Sequence, residues 1–316
     1  MIASLAAARI VGTSDAGAAL ERVNTLAYSG ALATLQALAL GAALACAHNT
    51  PSPTSTLPRE WVQVWSDEFD GPAGARVDST KWHYDIGDGC QQGICGWGNN
   101  EKESYTDLPE NIALNGQGQL MITARHAPAG LTCHYGPCRY TSAKITTRGT
   151  MNAAPGRVEA RIKLPAGQGL WPAFWMLGSG HPVTPWPACG ELDIMEHRGS
   201  QPATTSSAVH GPGYAGSASF NHAHTLERGV YADDFHTFAV EWDSVGARFF
   251  VDGTIHYAIT RATVERAGPF VLDQSFYLIV NLAIGGNFDG DPASDAIFPA
   301  TMLVDYVRVY RSVPAT

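Results

Sequence analysis

The 316-residue chain reads as an all-β protein, a sandwich or barrel, and three observations predict that class. Val158, Ala160, Ile162 and Leu164 alternate with Glu159, Arg161 and Lys163, the period of a strand with one buried face. Residues 249–257 place Asp252-Gly253 between two apolar runs, the signature of a tight hairpin. Short apolar runs are punctuated by 33 Gly and 19 Pro, and no long amphipathic helix follows Ala47.

The totals narrow the partners. A net charge of −9 with 16% charged residues and no Lys/Arg cluster argues against a nucleic acid or an anionic membrane. A neutral substrate suits this balance. At this length the chain can bury a sizeable core in one large domain or two small ones.

Taken in order, residues 1–47 differ in composition from the rest. The uncharged Ala/Leu-rich run 26–45 reads as a secretory signal core, with Ala45-Cys46-Ala47 as a small-x-small cleavage site. Ala43-Leu44-Ala45-Cys46 also approaches a lipoprotein box, so plain cleavage and lipidation at Cys46 both stand open. A single spanning helix is the competing reading, opposed by Gln36 and the missing flanking charges. Residues 48–58 form a Pro/Ser/Thr linker. Residues 59–316 are the folded domain. The expected location is secreted, periplasmic or extracellular, with membrane contact only through a lipid at Cys46, and the expected state is a monomer.

Further strands are expected over residues 276–283 and 302–310, and a turn or two of helix over 260–267. Asp305 is read on the same face as Leu303, Val307 and Val309, where a buried carboxylate needs a partner. Cys90 and Cys95, like Cys133 and Cys138, sit close in sequence within loops. Export permits disulfides, and local pairing 90–95 and 133–138 is the simplest connectivity, with zinc as the alternative. Cys189 is left over as a buried thiol. His222 and His224 form an H-x-H pair, taken as loop residues with no third ligand in reach.

The stretch that carries chemistry is Gly190-Glu191-Leu192-Asp193-Ile194-Met195-Glu196. In a regular strand Glu191 and Asp193 share one face, but Glu196 falls with Leu192 and Ile194. A β-bulge at Ile194-Met195 returns Glu196 to the acid face. Carboxylate pairs are the machinery of glycosidic-bond hydrolysis, and retention of configuration needs them about 5–5.5 Å apart. A straight strand separates such Cα atoms by ~13–17 Å, so bulge and sheet curvature must converge the side chains. Trp171-Pro172-Ala173-Phe174-Trp175 and Trp186-Pro187 surround the acids with flat rings on which sugars stack.

These two motifs, Gly190 to Glu196 preceded by Gly169-Leu170-Trp171-Pro172-Ala173-Phe174-Trp175, resemble glycoside hydrolase family 16 in its laminarinase-like branch, over about residues 65–310. The resemblance implies a β-jelly-roll sandwich of two curved antiparallel sheets with a concave substrate cleft. It implies Glu191 as nucleophile, Asp193 as its electrostatic partner and Glu196 as general acid/base. Trp171, Trp175 and Trp186 are the stacking candidates. Trp97-Gly98-Asn99-Asn100-Glu101 resembles the family's cleft-edge loop, which brings Asn99 and Glu101 into the binding set with Arg148, His210 and Asn281. A structural calcium at Glu68, Gly118 and Asp305 is implied, and no cofactor for catalysis. The bulged acid motif resembles the laminarinase-like and galactan-hydrolysing branches alike, and with Trp186-Pro187-Ala188-Cys189-Gly190 before it the resemblance favours endo-1,3-β-glucanase action on a β-glucan. An agarase- or carrageenase-type galactan hydrolase, or a non-catalytic glucan-binding protein, are the alternatives.

Overall fold

The computed structural model describes residues 59–314. The expected signal and linker, with Cys46, lie outside the described residues. Two antiparallel-dominated sheets of ten and seven strands face each other. In the seven-stranded sheet the order is Phe220–Thr225, Thr204–His210, Glu191–His197, Leu170–Gly178, Phe276–Ile284, Lys144–Thr146, His83–Tyr84. The expected sandwich is present, with its core between the sheets.

The alternating strand Arg157–Lys163 forms as its period requires, burying Val158, Ala160 and Ile162. The Asp252-Gly253 hairpin joins Gly246–Val251 to Thr254–Thr260, and both turn residues have positive φ, 49° and 76°, as a primed turn demands. A single turn of helix, Arg261–Val264, follows, capped by the Thr260 side chain.

Phe276–Ile284 is buried on both faces. Leu278, Val280 and Leu282 enter the main core, while Tyr277 and Ile279 join Leu177, Cys189 and Trp175 in a smaller apolar cluster on the opposite face. That opposite face carries the acids.

Two expectations need correction. Asp305 is not buried with Val307 and Val309. Arg161 pairs with Tyr306 and Ile162 with Val304, so Asp305 is the extra residue of a bulge. Its side chain stays 29% exposed and pairs with Arg161 at 2.8 Å. The inserted residue reverses the phase of alternation, which the sequence pattern alone does not display. His222 and His224 are not in a loop but on the edge strand Phe220–Thr225. Its exposed face has no apolar period to betray a strand.

Both disulfides form as paired above, Cys90–Cys95 and Cys133–Cys138. Cys189 is free and buried.

Candidate active site

The acid strand Glu191–His197 enters from Gly190, whose backbone is left-handed at φ 76° and whose Cβ would meet Val271 at 3.0 Å. On one side Trp175 faces Asp193 and Ala173 faces Glu196, and on the other Asp193 faces Ala208 and Glu196 faces Ser206. Ile194 and Met195 are thus the bulge. Both enter the core with Leu192. Glu191, Asp193 and Glu196 are left on the cleft face, as the apolar count requires. The ladder is broken here, and Ser207 repairs it by donating its hydroxyl to the Ile194 carbonyl at 2.8 Å.

Each carboxylate has its own partners. Trp186 Nε1 donates to Glu191 Oε2 at 3.0 Å, and Trp171 Nε1 donates to Glu196 Oε1 at 3.2 Å. His210 Nε2 stands 3.0 Å from Asp193 Oδ2 and 3.7 Å from Glu191 Oε1. His210 Nδ1 accepts from the Gly216 amide at 3.1 Å, which leaves the ring hydrogen on Nε2, facing the acids.

Burial shapes the charge of this trio. It pushes Asp193 up to about 8, against a hydrogen bond to Glu191 that holds it down. Burial first, then the Asp193 charge, pushes Glu196 up to about 8. Glu191 is also raised, by burial and then by Asp193, while His210 and the Trp186 indole pull it back. Its side chain keeps 15% of its surface open to the cleft. Three acids this close cannot all ionise. Glu191 holds the Trp186 N–H and Glu196 the Trp171 N–H, while His210 Nε2 lies nearer to Asp193 than to Glu191.

Burial, and then the Glu191 charge, push the Cys189 thiol up to about 11, which leaves it inert.

Trp171 and Trp175 both lie half-buried on the cleft face, with their indole N–H groups on Glu196 and Asn281. Trp171 stacks on Phe288, ring centroids 4.7 Å apart, and Arg198 covers the far side of Phe288 at 4.0 Å. Trp175 Nε1 donates to Asn281 Oδ1 at 2.7 Å, and Asn281 donates to the Tyr105 hydroxyl at 3.0 Å. Asn281 thus orients a stacking ring.

The cleft-edge loop behaves differently from expectation. Asn99 donates to Glu101 at 3.2 Å, and Glu101 itself is buried, at 5% exposure, beside Tyr105 and Glu103. It supports the loop from within. Burial raises both acids, Glu103 the more strongly because the Glu101 charge adds to it. Arg148 stays 47% exposed and pairs with Asp85 at 3.5 Å.

Sequence reasoning missed Glu103, Tyr105 and Phe288. Lys144 Nζ lies between the Trp97 and Trp175 rings, 4.2 and 5.1 Å from their centroids.

The calcium set does not assemble through its carboxylates. Arg308 grips Glu68 with two bonds of 3.0 and 2.7 Å, and Arg161 holds Asp305. Glu68 and Asp305 are thus taken by arginines, and the oxygens near Gly118 are the Asp70 carboxylate and the Glu68 carbonyl, 3.5 and 3.8 Å from where its Cβ would stand.

Comparison with known proteins agrees with this geometry. The profile of glycosyl hydrolases family 16 matches residues 100–307. A β-glucanase of Rhodothermus marinus is 40% identical over 272 residues, covering 80% of this chain and 86% of that protein. A glucan endo-1,3-β-glucosidase A1 of Niallia circulans is 38% identical over 78% of this chain, which spans only 37% of that longer protein. The crystal structure of an endo-β-1,3-glucanase from Pyrococcus furiosus superposes with a TM-score of 0.77 at 43% identity, covering 81% of this chain and 97% of that one.

Proposed function

Because the chain belongs to glycosyl hydrolase family 16, we propose that it is a retaining, endo-acting hydrolase of 1,3-β-D-glucosidic bonds in laminarin-type or mixed-linkage β-glucans. The observation that carries the reading is the bulge that brings Glu191, Asp193 and Glu196 to one face, with a tryptophan N–H on each glutamate.

The chemistry follows from those contacts. Glu191, ionised and held by Trp186 and His210, attacks the anomeric carbon. Glu196, protonated because its site is dry, gives its proton to the departing glycosidic oxygen. A glycosyl ester on Glu191 results. Glu196, now a carboxylate, takes a proton from water, which attacks the anomeric carbon and frees Glu191. Asp193 shares a hydrogen bond with Glu191 while burial pushes its own carboxyl up to about 8, so these two acids hold one negative charge between them. Nucleophile, acid and water suffice, so no cofactor enters. Trp171 and Trp175 offer faces to sugar rings on either side of the break. Of the cations near this face, Lys144 and Arg148 both pair with Asp85 and Arg198 donates to the Phe288 carbonyl, which disfavours a sulfated galactan.

Export is the compartment we infer, and the two disulfides favour an oxidising one. A monomer, and either cleavage or lipidation at Cys46, belong to the same reading. Mass spectrometry of the N-terminus and light scattering test them. A structural calcium would rest on backbone oxygens at Glu68 and Gly118 and would need Asp305 to leave Arg161. A melting temperature unchanged by chelator would exclude it.

Reducing-sugar release on laminarin, lichenan, agarose and κ-carrageenan, beside the Glu191→Ser variant, tests the function. Release on laminarin that the variant loses is the expected result. Release on a galactan alone overturns the substrate, and binding of laminarin without release overturns the enzyme.

A further inference from the structure

Three histidines that the reaction does not use meet at one edge of the sandwich. His222 and His224 alternate along Phe220–Thr225, the edge strand of the seven-stranded sheet, and His256 comes from Thr254–Thr260, the edge strand of the ten-stranded one. The ring centroids of His222 and His224 lie 5.9 and 5.4 Å from that of His256. Imidazoles bound tetrahedrally at about 2.0–2.1 Å through nitrogen would hold their centroids roughly 5 Å apart.

The hydrogen positions follow by elimination. Ser207 has one hydroxyl proton, which goes to the Ile194 carbonyl. At its 3.1 Å contact with His256 Nε2 the hydroxyl therefore accepts, and the hydrogen is on Nε2. His256 Nδ1 is then a bare lone pair, buried and without a hydrogen-bond partner. Burial, and then the neighbouring histidines, push this ring down to about 4, so the lone pair is free at neutral pH. His224 uses Nδ1 on the Tyr231 hydroxyl at 2.7 Å and has Nε2 left. His222 is exposed and stacks flat on Tyr257, centroids 5.5 Å apart, which leaves an entry path from solvent.

We propose that His222, His224 and His256 form a second, non-catalytic site for a transition-metal cation of the zinc class, bridging the edges of the two sheets. An all-imidazole set selects zinc, copper or nickel over calcium or magnesium. Two of the rings already hold a hydroxyl on the nitrogen that would not bind the metal, the arrangement that fixes ring orientation in metal sites. With Nε2 of His224 on the metal, its Nδ1 carries the hydrogen and donates to the Tyr231 oxygen. The trio is more open than Glu191, Asp193 and His210, whose ligand atoms all lie within 4.8 Å of one another. With His224 held on the Tyr231 hydroxyl, the exposed His222 is the ring that must move to close it. Through Ser207 the bound ion would also brace the Ile194 bulge.

Metal-free full-length protein is titrated with ZnCl2 by calorimetry and melted with and without the metal. One saturable site and a melting temperature raised by roughly 5 °C at about 100 times Kd are expected. Both should be lost in His222→Gln and in His256→Gln, and His222→Gln should keep its glucan hydrolysis in metal-free buffer. Absence of saturable binding in the unaltered protein overturns the proposal. So does binding that survives His222→Gln but vanishes in His210→Gln, because the ion would then occupy the catalytic acids.

Discussion

Ser207 donates its hydroxyl to the carbonyl of Ile194 across the bulge, 2.8 Å away, and both groups are buried. This one bond fills the gap left where the sheet ladder breaks, at the place that turns Glu196 toward the cleft. A bulge in a buried strand leaves a carbonyl without a strand partner, and an unpaired buried carbonyl costs about 1–3 kcal/mol. Removing the hydroxyl by Ser207→Ala should therefore lower stability by roughly that amount, a drop of several degrees in melting temperature. It should lower kcat as well, since Glu196 hangs on the same backbone. Chemical denaturation and steady-state kinetics on laminarin measure the two. An unchanged melting temperature would mean that the bulge holds itself.

Glu196→Gln removes the proton donor but keeps the shape and the Trp171 contact. Loss of roughly 10²–10⁴-fold in kcat on polysaccharide is expected. An aryl glucoside whose leaving group needs no proton should lose much less in bond cleavage. Equal loss on both substrates would remove Glu196 from the acid role.

Trp186→Phe keeps a ring at the cleft and deletes the N–H that holds Glu191. A hydrogen bond to a charged group contributes about 1.5–3 kcal/mol, which sets the scale of a loss of roughly 10- to 100-fold in kcat. KM should move little. A rise in KM at constant kcat would instead make Trp186 a stacking platform alone.

The pH dependence has two signs to keep apart. Activity needs Glu196 protonated, so the alkaline limb of kcat/KM should fall near pH 8, where its raised pKa lies. Stability follows from the same shift. Asp193 and Glu196 bind protons more tightly folded than unfolded, from ordinary values of 3.8 and 4.5 up to about 8. Their contribution is full below pH 4, declines as pH rises, and is gone above the folded value. Denaturant midpoints between pH 5 and 9 should fall with pH, and less steeply in Asp193→Asn. A midpoint that rises across that window would contradict the burial of the trio.

What the sequence determined by itself is local. The acid motif demanded a bulge, because three carboxylates and three apolar residues can reach opposite faces only with one residue inserted, and Ile194 and Met195 supply it. The Asp252-Gly253 turn and the short Cys90–Cys95 and Cys133–Cys138 loops are likewise settled by neighbours in the chain. Tertiary structure decided whatever depends on distant partners. Asn281 orients Trp175 from 106 positions away, and Arg308 takes Glu68 from 240 positions away. Asp305 shows the limit most clearly. Its strand is apolar and regular in sequence, yet pairing with Arg157–Lys163 inserts it as a bulge and exposes it to Arg161. His256 meets His222 and His224 only because two sheet edges close on one another. A strand's period reports which face is buried, while register, bulge placement and edge-to-edge contact are set by the partner strand, which the local pattern does not contain.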